Sequence, residues 1–175
     1  MGWFRRSAPT EPLGVTMAGV KLGDRFLAVG VRDPVLIAAL AAKAGLTGEA
    51  HAIEADDARI EKARAAIERE GALIDIASAP WKTWPFAAGS VDVAVVPNLL
   101  PSLSPEDRAH CIAETFRVLR PGGRVIVIDG GKRGLLARSG PQIDAQQPLK
   151  DAGFAAVRLL AETGGSTYVE GIKKA

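Results

Sequence analysis

Apolar strands alternating with amphipathic helices predict an α/β protein: a mostly parallel sheet, covered on both faces, that ends in an antiparallel hairpin. Three observations carry this expectation. Short, continuously apolar runs such as FLAV at residues 26–29 suit strands buried on both faces. Stretches of helical period, each with its own start and stop residues, separate those runs. The last quarter then changes pattern, with two strand-like runs flanking Thr163-Gly164-Gly165.

Taken in order, residues 26–29 form the first strand and Gly30 turns the chain. Asp33 then reads as an N-cap and Pro34 as the first helical residue. Ile37, Leu40, Ala41 and Ala44 share one helical face, and Gly45 supplies the stop. EAHAIEA (49–55) is the second strand. Asp56 or Asp57 caps the second helix, which buries Ile60, Ala63 and Ile67 and ends at Gly71. ALIDIA (72–77) is the third strand. SAPWKTWPFAAGS (78–90) has no helical period and reads as a long ordered loop, and VDVAVV (91–96) as the fourth strand. Ser104, Pro105, Glu106 and Asp107 open a further helix: a hydroxyl cap, a first-turn proline and carboxylates at the positive helix end. Ile112, Phe116 and Leu119 give its buried stripe, Pro121-Gly122-Gly123 its stop, and RVIVID (124–129) the fifth strand. A short helix near Leu149 precedes the hairpin AAVRLLAE/STYVEGIK, which adds an antiparallel edge strand.

A length of 175 residues predicts one domain, with residues 1–14 as a flexible arm and 15–175 as the folded unit. At 47% hydrophobic and 24% charged residues the chain can bury a sizeable core. A net charge of +2 gives no general case for a nucleic-acid partner, and the excess is local, at Arg5, Arg6, Lys173 and Lys174. No apolar run reaches membrane-spanning length, and the N-terminal arginines lack the apolar stretch of a secretory signal. The single Cys111 cannot form an internal disulfide, which fits a reducing compartment; a cytoplasmic location is expected.

At this point the order of motifs resembles the class I S-adenosylmethionine-dependent methyltransferases of the small-molecule, type 11-like kind. GVKLGDRFLAVG resembles that family's entry into its first strand, and AIEAD its second strand ending in an acid. WPFAAGSVDVAVV is similar to the approach to its fourth strand, and FRVLRPGGRVIVID to its shared helix, turn and fifth strand. The resemblance covers roughly residues 19–173 and implies a Rossmann-like, doubly wound sheet with S-adenosylmethionine as cofactor. It also implies a set of cofactor-binding positions. Gly30 matches the first glycine of the turn, while Arg32 and Pro34 stand where the second and third glycines usually fall, and Ala28 where an aspartate is common. Glu54 matches the acid that binds the ribose hydroxyls. Ala79-Pro80, followed by Trp81, occupies the place of a Gly-Asp pair that reads adenine, and Pro97 borders the cofactor with its backbone. The resemblance assigns no catalytic residue.

Each position also has a bland reading. Gly30 serves a tight strand-to-helix turn with or without a ligand. Arg32 is a solvated turn residue, or pairs with Glu54 or Asp33 and fills the groove from within, or holds a ligand carboxylate. Trp81 and Trp84 are core residues, or Trp81 stacks on adenine. Cys111 reads as a buried inert thiol, and His51 and His110 lack companions at metal-ligand spacing. Lys132, Arg133 and Arg138 form a solvated loop or a basic rim for an acidic substrate. Two functions stay open: methyl transfer to a small molecule, and a non-catalytic binding or scaffolding module on the same fold with a self-filled groove. A nicotinamide enzyme is excluded, since its fingerprint needs glycines at Arg32 and Val35. Oligomeric state is not legible.

Overall fold

The computed structural model describes residues 11–131 and 143–175; Trp3, Arg5 and Arg6, and the basic rim of Lys132, Arg133 and Arg138, lie outside them. The described elements are α1 (Leu13–Ala18), β1 (Arg25–Val29), α2 (Pro34–Ala44), β2 (Glu49–Glu54), α3 (Asp57–Arg69), β3 (Asp75–Ser78) and β4 (Val91–Pro97). They continue with α4 (Pro105–Val118), β5 (Leu119–Gly130), α5 (Gln146–Asp151), β6 (Ala155–Thr163) and β7 (Ser166–Ile172), with a 3-10 turn at Leu100–Ser102 before α4.

The sheet has seven strands in the order β3-β2-β1-β4-β5-β7-β6. The first five pair in parallel, and β7 runs antiparallel to both β5 and β6. Alternation along β1 sends Phe26 and Ala28 into a core shared with Val15, Ile37, Leu40 and Ile67 of α1, α2 and α3. Leu27 and Val29 enter the opposite core with Cys111, Ile112 and Leu149 of α4 and α5. Helices therefore cover both faces, and the strand order reverses between β1 and β4. Ligands of open α/β sheets bind in the crevice at such a switch point.

The caps form as the residues dictate. Asp33 accepts from the Leu36 N–H at 3.0 Å, Asp56 from Arg59 at 3.1 Å and Ser104 from Asp107 at 3.1 Å. Gly164 and Gly165 both have positive φ (59° and 77°) and join the paired Thr163 and Ser166, which is the backbone a two-residue hairpin turn requires.

Three expectations are corrected. α4 ends at Val118, not at Pro121, because Leu119 already pairs with Val91; residues 120–123 bulge before the ladder resumes at Arg124. Its buried face is Cys111, Ile112, Thr115 and Val118, so the cysteine lies within the stripe and Phe116 at its margin. The hairpin contributes two strands, with β7 inside the sheet and β6 at its edge, because the core-forming Tyr168 and Val169 need neighbours on both sides. Helix α1 is an element that periodicity does not reveal; six residues are too few to show a period.

The amino ends of the strands are tied by charge. Asp92 accepts from the Arg25 backbone N–H at 2.8 Å and its Nε at 3.0 Å, and also pairs with Arg120. Against the cost of its partial burial, these donors hold its carboxyl below the usual carboxylate range. A depressed carboxyl stabilises the fold above its unfolded pKa and ceases to do so as acid protonates it. Asp92→Asn is therefore expected to cost about 1–2 kcal/mol at pH 7, the half-exposed arginines keeping it low. In urea titrations the gap between wild type and variant stays flat down to about pH 5 and closes below it.

Lys173, part of the C-terminal charge excess, is spent inside the fold. Its Nζ donates to the carbonyls of Phe116 and Leu119, both at 2.8 Å, and of Arg117 at 3.3 Å, and lies 4.8 Å from the Phe116 ring centre. A cation on the last carbonyls of a helix satisfies groups that the helix leaves unpaired and opposes its dipole. Lys173→Met is expected to lower stability by about 1–2 kcal/mol in denaturant titration, where a solvated lysine would show nothing.

Candidate functional site

The carboxyl ends of β1, β2, β3 and β4 bring Gly30, Glu54, Ala79 and Pro97 to one edge of the sheet. Gly30 has φ +79° and donates its N–H to Ile53 O at 2.8 Å. A Cβ there would meet the Leu99 side chain at 3.1 Å. The turn thus requires glycine for its own backbone and packing. The next residues, Val31-Arg32-Asp33, lead directly into α2.

Glu54 is 2% exposed. Its Oε1 accepts from the backbone N–H groups of Ala55 (2.9 Å) and Asp56 (3.3 Å), its Oε2 from that of Val31 (3.3 Å). The acid of the second strand therefore braces the turn after the first. Arg59 of α3 forms an ion pair with it at 3.7 Å, a cation that the sequence pattern did not single out. A carboxylate offers about four lone-pair sites. Three are taken by backbone donors, so Glu54 must trade some of them for sugar hydroxyls to bind a ribose.

Ala79 donates its N–H to Glu54 O at 3.1 Å, which places the start of the β3–β4 loop beside the acid. Trp81 and Trp84, further along that loop, are 8% and 4% exposed and join the α4-side core. The loop is pinned from α4: Glu114 accepts from Trp84 N at 2.8 Å, and Arg117 donates to Phe86 O and Trp84 O. Burial raises the Cys111 thiol above its ordinary value, which keeps it protonated and unreactive.

Arg32 lies between two depressions. One is a cavity of about 440 Å³ whose walls include Leu13 of α1, Leu36 of α2, Asn98 beyond β4, Ile128 of β5 and Tyr168 of β7. The other is a groove of about 230 Å³ against α3, lined by Arg59, Lys62 and Arg69 as well. The cavity is within the roughly 300–1,000 Å³ of small-molecule sites. Asn98 holds the left-handed region (φ 54°), and its N–H donates to Ile128 O at 2.7 Å, locking the end of β4 to β5. Asn98 and Tyr168 were not anticipated; the one available signal was that Asn98 follows Pro97 at a strand end, where such sheets place ligands. Among the described residues no helix is long and apolar enough to cross a membrane.

Comparison with known proteins agrees with this geometry. A family model described as "Methyltransferase domain" matches residues 26–123, from β1 to the bulge of β5. The chain belongs to this methyltransferase family. Membership in it implies S-adenosylmethionine as the cofactor. The ubiquinone/menaquinone biosynthesis C-methyltransferase UbiE of Ralstonia pickettii is 30% identical over 118 residues, which are 67% of this chain and 48% of that protein. The methyltransferase domain thus spans about half the length of the curated relatives it matches. A SAM-dependent methyltransferase from Aquifex aeolicus has the same fold, with a TM-score of 0.77 and 21% identity over 90% of this chain and 86% of that one. So does the [4+2]-cyclase SpnF, at TM-score 0.72 and 16% identity, covering 93% of this chain and 79% of its own. The second case shows that this architecture also carries a protein named for a different reaction.

Proposed function

We propose that this chain is an S-adenosylmethionine-dependent methyltransferase acting on a small molecule. The observation that carries the proposal is Glu54, a buried carboxylate at the end of β2 that faces the single-glycine turn at Gly30 beside the strand-order reversal. The residues present fit the cofactor. Glu54 would take the ribose hydroxyls, Arg32 the carboxylate of the methionine end, Ala79 and Trp81 would border the adenine, and the Pro97 backbone would line the path between them. Bound there, the cofactor supplies an activated methyl group. The chain's task is then mainly alignment and exclusion of water. Leu13, Leu36 and Ile128 give the cavity of about 440 Å³ an apolar wall, and Asn98 and Tyr168 offer polar contacts to an acceptor. Lone Cys111 supports a cytoplasmic setting.

The test is calorimetric titration with S-adenosylmethionine and S-adenosylhomocysteine. Micromolar or tighter binding is the expected result. A folded protein that gives no heat at millimolar ligand would instead support the non-catalytic module. One observation favours that second reading: Glu54 already accepts three backbone hydrogen bonds and faces Arg59, so the groove is satisfied from within.

A further inference from the structure

Helix α3 carries its charges in two sectors. Arg59, Lys62 and Arg69 are spaced so that they lie along one helical face. Asp57, Glu61 and Glu68 fall on the other side, together with Arg64, which pairs with Glu61 at 3.8 Å. The basic face borders the groove of about 230 Å³, where Arg32 is a fourth cation. Val31, Pro34, Ala63 and Ala66 form its uncharged walls, and among the described residues no acid lines it. Pro34 opens the 11-residue helix α2, so the positive end of that helix also meets the groove. The donors here are not used up. Glu54 and Asp56 lie 3.7 and 3.8 Å from the Arg59 guanidinium, beyond hydrogen-bond reach, and its buried Nε has no hydrogen-bond partner. Arg69 donates its Nε to Ala65 O at 3.1 Å, which anchors the side chain and leaves the Nη groups for a ligand. Lys62 is exposed and has no ion-pair partner among the described residues. Donors left without partners gather where ligands bind.

We propose that this groove binds a phosphate group, either free phosphate or the phosphate of a small organic monoester. A phosphate carries close to two negative charges and several strong acceptor oxygens, which match cations arriving from three positions of α3. A carboxylate, with one charge and a single fork, is satisfied by one arginine. A nucleic-acid strand needs a basic track that continues past one groove. Here Asp57, Glu61 and Glu68 interrupt it on the same helix, and the whole chain carries only +2. An anion held between Arg59, Lys62 and Arg69 ties α3 to the turn after β1, so it stabilises the folded chain by mass action. The inference stands apart from the methyltransferase reading, since neither the cofactor nor an acceptor takes part.

The experiment is calorimetry and thermal unfolding of the full chain with inorganic phosphate, ribose 5-phosphate and chloride at equal ionic strength, so that general screening cancels. Phosphate is expected to raise the unfolding temperature as its concentration increases, and chloride is not. Lys62→Glu and Arg69→Glu are each expected to weaken phosphate binding by about tenfold or more. Arg64→Glu makes the same change of charge on the opposite side of α3. Its affinity should stay within about twofold of wild type, because water screens that charge from the groove. Lys62→Gln removes the charge with a good helix former and repeats the test should a reversal disturb α3. Tighter binding of ribose 5-phosphate than of inorganic phosphate would identify an organic monoester resting on the Pro34 and Ala63 walls, and equal affinity would identify free phosphate; both uphold the site. Equal losses in Arg64→Glu and Lys62→Glu would reduce the effect to diffuse charge and overturn the proposal. So would stabilisation by phosphate no greater than by chloride, or a single-stranded oligonucleotide that binds more tightly than either phosphate.

Discussion

Replacing Glu54 by glutamine is expected to weaken S-adenosylhomocysteine binding by roughly ten- to a hundredfold, the equivalent of one charge-assisted hydrogen bond of about 1.5–3 kcal/mol. The change keeps the size of the side chain and one acceptor oxygen, which can still take the Ala55 and Asp56 N–H groups. It turns the other oxygen, which accepts from Val31 N–H, into a donor. Two effects follow from one substitution: weaker bracing of the Gly30 turn and a poorer site for two sugar hydroxyls. They separate experimentally. The loss of bracing appears in the unfolding midpoint of the free protein, by about 1–2 kcal/mol. The loss of binding appears in calorimetry on the folded variant. An unchanged dissociation constant would remove Glu54 from the cofactor site.

Replacing Glu170 by alanine is expected to be the most destabilising substitution outside the cofactor edge, by about 2–3 kcal/mol. Glu170 on β7 is 3% exposed and accepts from Arg124 of β5 at 3.2 Å and Arg158 of β6 at 2.9 Å. It is thus the charge that lets two arginines sit on the two strands flanking β7. Removing one partner of a buried pair typically costs about 3–5 kcal/mol because it strands the opposite charge. Here Arg158 is 66% exposed and can recover its hydration, while Arg124 keeps a bond to Ala18 O, so the cost falls to or just below the bottom of that range. Denaturant titration gives the value directly. A change below about 0.5 kcal/mol would mean that the arginines hydrate freely when the acid is gone.

Local signals carried most of the fold. Asp33-Pro34, Asp56 and Ser104-Pro105 start their helices as written, since a cap needs only the next three residues to act. The glycine pair of the last hairpin is equally local. What the pattern missed depends on neighbours far along the chain. Helix α4 gives way at Val118 because Leu119 is claimed by Val91, and a proline-glycine signal three residues later cannot compete with a strand already in place.

The candidate site divides in the same way. Gly30 and Glu54 could be singled out because a turn and a strand end mark them and the family resemblance gives both positions a cofactor-binding role. Arg59 as the cation on Glu54 was not legible, since on α3 it reads as one more exposed base among several.

The sequence by itself determined the order of strands and helices, the caps and the sharp turn at Gly30, because these depend on side-chain periodicity and on backbone freedom within a few residues. The tertiary structure alone decided that β7 lies inside the sheet, that Lys173 closes α4, that Arg59 of α3 reaches Glu54, and that Asp129 is buried unpaired. Those outcomes depend on which distant groups reach one another and on how much water is left between them, and neither is encoded in any short stretch of chain.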